Sequence, residues 1–393
     1  MANPTTTSRT TTYPASKRRR LSDDNHHSLL PGLPDHIAHL CLSLVSQATL
    51  YSVCRSWRRL IYSGSIPPFR SIYTLSLPTT AAACRGGDRH NQMLRLSSFD
   101  PISSKWITID SPSLLPFLHR LSVRHPSFTS RNLPVQSLSV SGNLVLLAAT
   151  SSDLLPALPH PLVFNPVSNS WSSGPPLSTP RRWCAAGSLQ GTVIVASGIG
   201  SHYTQTVARS VEKWVLRNTE SSDRKRGDSD GVWEKMRSLR NAKLCRESID
   251  AVGWRGKLCM VNVKGDYAKE GFVYHVDSDK WVAMPEGMLG GWRGPATAMD
   301  EETMYVVDES RGILKRYNDD GDDWSEVMED ERLKGAEYIA AGGGKVCVAC
   351  EKDVRILVVD VVATPPRLWV VETPAGHEIL ALHILPRMSL MEF

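Results

Sequence analysis

Residues 164–171 read Phe-Asn-Pro-Val-Ser-Asn-Ser-Trp, and the spacing of an aromatic residue and a tryptophan seven positions later returns at 99–106, 274–281 and 317–324. The other three stretches are FDPISSKW, YHVDSDKW and YNDDGDDW. In each, the aromatic lies in one β run, a polar segment rich in Asn, Asp, Ser and Pro turns the chain, and the tryptophan opens the next run. Trp233 and Trp369 mark two further units, so the series is Trp106, Trp171, Trp233, Trp281, Trp324 and Trp369. Their recurrence assigns these tryptophans to packing between units rather than to ligand binding.

Outward from these links lie glycine-led apolar strands: Gly142–Leu147, Gly191–Val195, Gly256–Val261 and Gly344–Val348. Strand, strand, hairpin and strand, with a further strand leading into the next unit, make a four-stranded propeller blade. Six marked units predict six blades over 66–393. The third is lengthened by the charged segment Arg217–Gly231. The first unit, near Arg70–Leu77, lacks an inner strand, whereas the run Glu378–Ile384 has no outer strands after it. Set beside Leu75, this last strand would complete blade one and close the ring, leaving no long edge exposed.

Upstream of the repeat the period changes. Residues 1–28 are polar and read as a disordered tail carrying the basic run Lys17–Arg20, which suits either a nuclear localisation signal or a solvated tail. Residues 29–65 are helical in pattern. Leu33-Pro34-Asp35 opens a helix, with Pro34 tolerated in the first turn and Asp35 favourable to the helix dipole. Ile37, Leu40, Cys41 and Leu44 follow at helical spacing. A second helix carries Leu50, Val53, Cys54, Trp57, Leu60 and Ile61. Two short amphipathic helices cannot bury both faces alone, so a partner surface is expected.

Leu30-Pro31-Gly32-Leu33-Pro34-Asp35 with the later Val53-Cys54-Arg55-Ser56-Trp57-Arg58-Arg59 resembles an F-box, and the tryptophan-spaced blades resemble kelch repeats. Together they cover nearly the whole chain after residue 28 and are similar to the plant F-box/kelch-repeat proteins. The double glycine of kelch units is only partly echoed, at Gly198-Ile199-Gly200 and Gly342–Gly344. The resemblance implies a mainly β fold: a six-bladed kelch-type β-propeller preceded by a small helical F-box module. It implies a non-catalytic substrate-recognition subunit of a Skp–cullin–F-box ubiquitin ligase, working in the nucleus or cytoplasm. In such modules Leu33, Pro34, Ile37, Leu40 and Trp57 match the positions that contact the Skp-type adaptor, and through it cullin. Trp57 equally suits the module's own core.

The propeller would hold the protein to be ubiquitinated. Basic residues recur in the connections that lead into inner strands: Arg181 and Arg182, then Arg246, Arg293 and Lys334. Equivalent loops of a ring converge on one channel mouth, which predicts a basic ring fitted to a target with acidic or phosphorylated groups. Loops after the second strand of each blade share that face and offer His202, Tyr203, Lys264, Asp266, Arg311 and Lys352. Tyr203 and Trp292 are the candidate aromatic anchors.

Bulk properties narrow the alternatives. The 393 residues include 41% hydrophobic and 22% charged, enough for a sizeable core. A net charge of +5 is too weak to argue for a nucleic-acid partner. No run approaches the roughly 20 apolar residues of a membrane span, and the polar N-terminus has no apolar core of a secretory signal. The eight cysteines are scattered, as in reduced thiols. Cys347 and Cys350 sit in a strand-like run that would send them to opposite faces, so they read as core cysteines rather than metal ligands. No cofactor is expected. Two rival functions are a Skp-binding scaffold without ubiquitin transfer and a copper-radical propeller oxidase. The second needs a converging Tyr, His and Cys set that the sequence does not offer.

Overall fold

The computed structural model describes residues 28–43, 45, 50, 53–62, 70–78, 94–101, 104–110, 135–151, 154–216, 231–240, 248–263, 268–350 and 355–388. Six four-stranded antiparallel sheets form a six-bladed β-propeller. The inner strands of blades two to six are Val135–Val140, Ala185–Leu189, Ser248–Trp254, Ala296–Met299 and Ala336–Gly342. The inner strand of blade one is His377–Pro386, from the C-terminal end of the chain. It pairs antiparallel with Arg70–Pro78, Leu75 lying opposite Ala381. Each inner strand neighbours the next around a closed ring.

Burial follows from this geometry. The second strand of a blade has another blade against each face, so it reads as a continuous apolar run; Asn143–Ala149 is buried at every position. The core lies between blades. Tyr73, Leu75 and Leu96 of blade one meet Leu144, Leu146 and Phe164 of blade two, and Tyr305 and Val307 of blade five meet Val346, Val348 and Val359 of blade six. At the axis the strands carry small residues because they approach closely. A Cβ at Gly253 would stand 2.0 Å from the Ser188 carbonyl oxygen of the neighbouring inner strand.

The repeated tryptophans tie each blade to the one before it. Trp106 Nε1 donates to the Glu372 carbonyl at 2.7 Å, Trp171 to Asp110 at 3.0 Å, Trp233 to Pro175 at 2.9 Å and Trp281 to Arg237 at 2.9 Å. Trp324 reaches both Gly287 and Met288, at 3.2 and 3.1 Å. Each acceptor belongs to the end of the preceding blade's outer strand or to the segment after it. Trp369 departs from the expected series. It pairs with Val358 and is 42% exposed. In blade six the pair Val359 and Leu368 packs toward blade five instead, so Trp369 stands one residue out of register. The charged insertion of blade three lies outside the described residues from 217 to 230; the blade resumes at Trp233, which packs on Trp214 at 5.6 Å.

Cys347 and Cys350 belong to different inter-blade clusters, on opposite faces of their strand. Burial pushes the Cys347 thiol up to about 12, which keeps it protonated. Near the N-terminus two helices are described, Asp35–Ser43 and Arg55–Tyr62.

Candidate functional site

Two surfaces carry the sequence-predicted residues. In the N-terminal helical unit, Leu42, Leu50 and Leu60 form a small core with Leu29, Leu30, Val45 and Trp57 packed against it. The opposite side of the first helix is open. Leu33 is 39% exposed, Ile37 37% and Leu40 56%, and Pro34 is exposed beside them. Positions 33, 37 and 40 follow helical spacing, whereas Ala38 and Leu42 face inward. Trp57 is only partly buried and donates its Nε1–H to the Leu29 carbonyl at 3.0 Å, so its indole braces the unit's own core.

The second surface is the propeller face formed by the connections that enter the inner strands. Arg182, Arg293 and Lys334 all occupy such connections. Arg182 is half-buried: its guanidinium lies 4.6 Å over the Trp183 ring and donates to the Gly200 carbonyl at 2.7 Å. Arg293 is exposed, its Nε 3.3 Å from the Gly290 carbonyl. Lys334 is exposed and ion-paired with Glu331 at 2.7 Å. His202, Tyr203 and Arg311 are exposed on loops that follow the second strand of their blades. Arg246, Lys264, Asp266 and Lys352 lie outside the described residues.

Two predicted surface residues are internal. Arg181 is 1% exposed. Its guanidinium pairs with Glu212 and donates to Ser210 Oγ at 2.6 Å and the Ser197 carbonyl at 3.2 Å. Glu212 also accepts from Ser178 Oγ at 2.7 Å. Extended backbone sends neighbouring side chains to opposite sides, so Arg181 turns into blade three while Arg182 stays at the face. Trp292 is fully buried with Met284 and Met288. Its ring follows the short helix Glu286–Gly291 and fills the gap between blades four and five, so it is no anchor for a partner.

Inside the ring runs a cavity of about 700 Å³, lined by the inner strands of all six blades. Asp250 and Glu337 line it near the N-terminal ends of their strands, on the side of the connections that enter the inner strands. Asp250 Oδ1 accepts from the Ala251 N–H at 2.9 Å, and Oδ2 lies 3.4 Å from Trp292 Nε1. The far end is laced by the blade-five turn Asp300–Glu302. Glu301 accepts from Ser188 Oγ at 3.1 Å and from the Gln190 N–H at 2.6 Å, reaching blade three across blade four. Arg70 of blade one lies 3.6 Å from Asp300. The sequence reading missed these carboxylates. The signal was an acid within otherwise apolar inner-strand runs, Ser-Ile-Asp-Ala-Val and Ala-Glu-Tyr-Ile-Ala.

Among the described residues no group of three His, Cys, Asp or Glu side chains is placed to hold a metal ion, and no helix is long and apolar enough to cross a membrane.

No family model matches the chain. It is 48% identical over 371 residues to the F-box/kelch-repeat protein SKIP25 of Arabidopsis thaliana, covering 93% of this chain and 91% of that relative. The F-box/kelch-repeat protein SKIP4 of the same plant is 23% identical over 294 residues, 72% of this chain and 71% of its own length. The F-box protein AFR, also from Arabidopsis thaliana, is 23% identical over 293 residues, 72% of this chain and 68% of that protein.

Proposed function

Since the chain belongs to the F-box/kelch-repeat family of plants, and so to the substrate-adaptor type of protein, we propose that it is the substrate-recognition subunit of a Skp–cullin–F-box ubiquitin ligase. The observation that carries this reading is the exposed apolar set formed by Leu33, in the turn before the first helix, and Ile37 and Leu40 on that helix, whose other side is packed. A Skp-type adaptor covers that row and connects the protein to cullin. The face around Arg182 and Arg293, to which the sequence adds Arg246, holds the target, whose acidic or phosphorylated groups pair with the guanidinium groups. The protein's own part is non-catalytic. Work in the nucleus or cytoplasm goes with this reading and is supported by the basic run Lys17–Arg20.

The two surfaces are separable by mutation. Reversing Arg182, Arg246 and Arg293 to Glu together lowers target capture by at least about tenfold, since each loses a charge-assisted contact. Adaptor binding is untouched. Affinity purification from plant cells, with mass spectrometry of both adaptor and ubiquitinated proteins, reads both arms. Unchanged recovery of targets by the triple variant refutes the assignment of this face.

A further inference from the structure

The sheet of blade three is interrupted where its inner strand begins. The first two strands of that blade pair regularly as far as Ala185 opposite Ala196. They meet once more at Arg182 and Ile199, each N–H donating to the other's carbonyl at 2.9 Å. Between these two rungs Trp183 and Cys184 face Ser197 and Gly198. The backbone there is strained: φ is +53° at Trp183, +64° at Ser197 and +102° at Gly198, and a bulky side chain seldom enters this region. Apart from Leu154, the other non-glycine residues of positive φ among those described lie in hairpin turns between consecutive strands, where the turn geometry calls for it. Trp183 and Ser197 lie in no hairpin turn.

The interruption holds one cation in place. The Arg182 guanidinium lies 4.6 Å over the Trp183 ring, and its Nη1 donates to the Gly200 carbonyl at 2.7 Å. The ring on one side and this bond at one end fix the guanidinium plane. Nε has no acceptor, and Nη2 makes no hydrogen bond among the described residues. Nor does a carboxylate pair with Arg182 there, whereas neighbouring Arg181 pairs with Glu212, and Lys334 with Glu331. Burial lowers the Arg182 pKa, as for a cation that has lost water without gaining an anion. Trp183 Nε1 and Ser197 Oγ, in the same interruption, are also buried without a partner, which is rare for buried polar atoms.

We propose that Arg182, held on Trp183, is the specificity-determining contact for the target: its Nε–Nη2 edge receives one oxyanion, a carboxylate or phosphate of the bound protein. The inference rests on the target-binding reading above and deepens it by naming the residues that read the acidic group and how they do so. Two donors in a fixed plane match two oxygens of a carboxylate or phosphate. The anion meets Nη2 first, and a small turn of the guanidinium against the indole gives Nε the acceptor it lacks. The strain at Trp183 keeps the indole beneath the guanidinium instead of inside the blade. Lysine in place of Arg182 would supply the charge without the planar pair of donors.

The test uses the full chain, immobilised, and a synthetic peptide library whose central residue is Asp, Glu, phosphoserine, Asn or Lys between randomised neighbours. The wild type enriches peptides centred on an acid over those centred on Asn or Lys, and the preferred acid identifies carboxylate or phosphate as the anion. Fluorescence polarisation then measures the enriched peptide against variants. Arg182→Lys weakens it by about tenfold or more, because the charge stays and the paired donors go. Trp183→Asn weakens it likewise, since Asn tolerates the positive φ but offers no ring. An unchanged melting temperature verifies each fold. Absent enrichment of acids, or unchanged affinity in either variant, overturns the assignment. Arg182→Lys preserves the charge of the face, so binding lost in the triple Glu reversal but kept in Arg182→Lys sinks this contact and leaves the target-binding face standing. Acid-centred peptides still enriched by the triple reversal sink the face itself.

Discussion

His383 joins the last strand of the chain to blade two. Each ring nitrogen meets a serine hydroxyl, Ser137 on one side and Ser139 on the other. Burial pushes its pKa from the ordinary 6.5 down to about 4, because a buried imidazolium would lose its hydration. The folded value lies below the unfolded one, so the unfolded chain takes up the proton first as pH falls. The stabilisation is therefore complete above about pH 6.5 and disappears progressively toward pH 4, a loss of roughly 3 kcal/mol for a shift of this size. Urea unfolding at a series of pH values should show stability falling through that window, with a flatter slope in His383→Gln. An identical slope in the variant would place the acid sensitivity elsewhere. Arg181 and Arg182 show the limit of reading single residues. Adjacent arginines look equivalent in sequence, yet one closes a buried ion pair with Glu212 and the other lies at the face. Their different fates depend on strand alternation and on a glutamate in another strand.

The tryptophan hairpin is the element that the sequence discloses best. An aromatic residue, a polar turn and a tryptophan recur because each tryptophan stacks on its partner, as Trp281 does on Tyr274 at 4.8 Å, and donates to the preceding blade. Blade six lacked the aromatic seven positions upstream of Trp369 with no insertion to displace it, unlike blade three, and that absence was the readable sign that its register differs. Truncation separates the two kinds. Trp324→Ala removes a ring packed between blades and its bond to the Gly287 and Met288 carbonyls, and should cost about 3–5 kcal/mol. Trp369→Ala, at a half-exposed site, should cost less than about 1 kcal/mol. Denaturant titration of both variants checks the difference, and equal losses would contradict the assigned register.

At the scale of the whole molecule, the ring depends on a strand from the C-terminal end, Leu75 lying opposite Ala381. Six units with one incomplete at the start and one strand left over at the end carried that closure in the sequence. The axial cavity was hidden, because its lining comes from six separate stretches of chain that meet only when the ring brings the inner strands around one axis. Glu301 was hidden for the same reason: its partners Ser188 and Gln190 lie on a blade that is not its neighbour in the chain. The exposed set beside the first helix was better marked, since Ile37 and Leu40 repeat at helical spacing after Leu33 while Ala38 is buried and Leu42 supplies the core. The division of labour between that row and the propeller face is the central claim. Its most direct test is the affinity of the purified chain for a Skp-type adaptor, measured for the wild type and for Ile37→Asp with Leu40→Asp. The predicted result is a tight wild-type complex weakened by at least about a hundredfold in the double variant, with the propeller's melting transition unchanged. Equal affinity of the two proteins, with both folded, would contradict it.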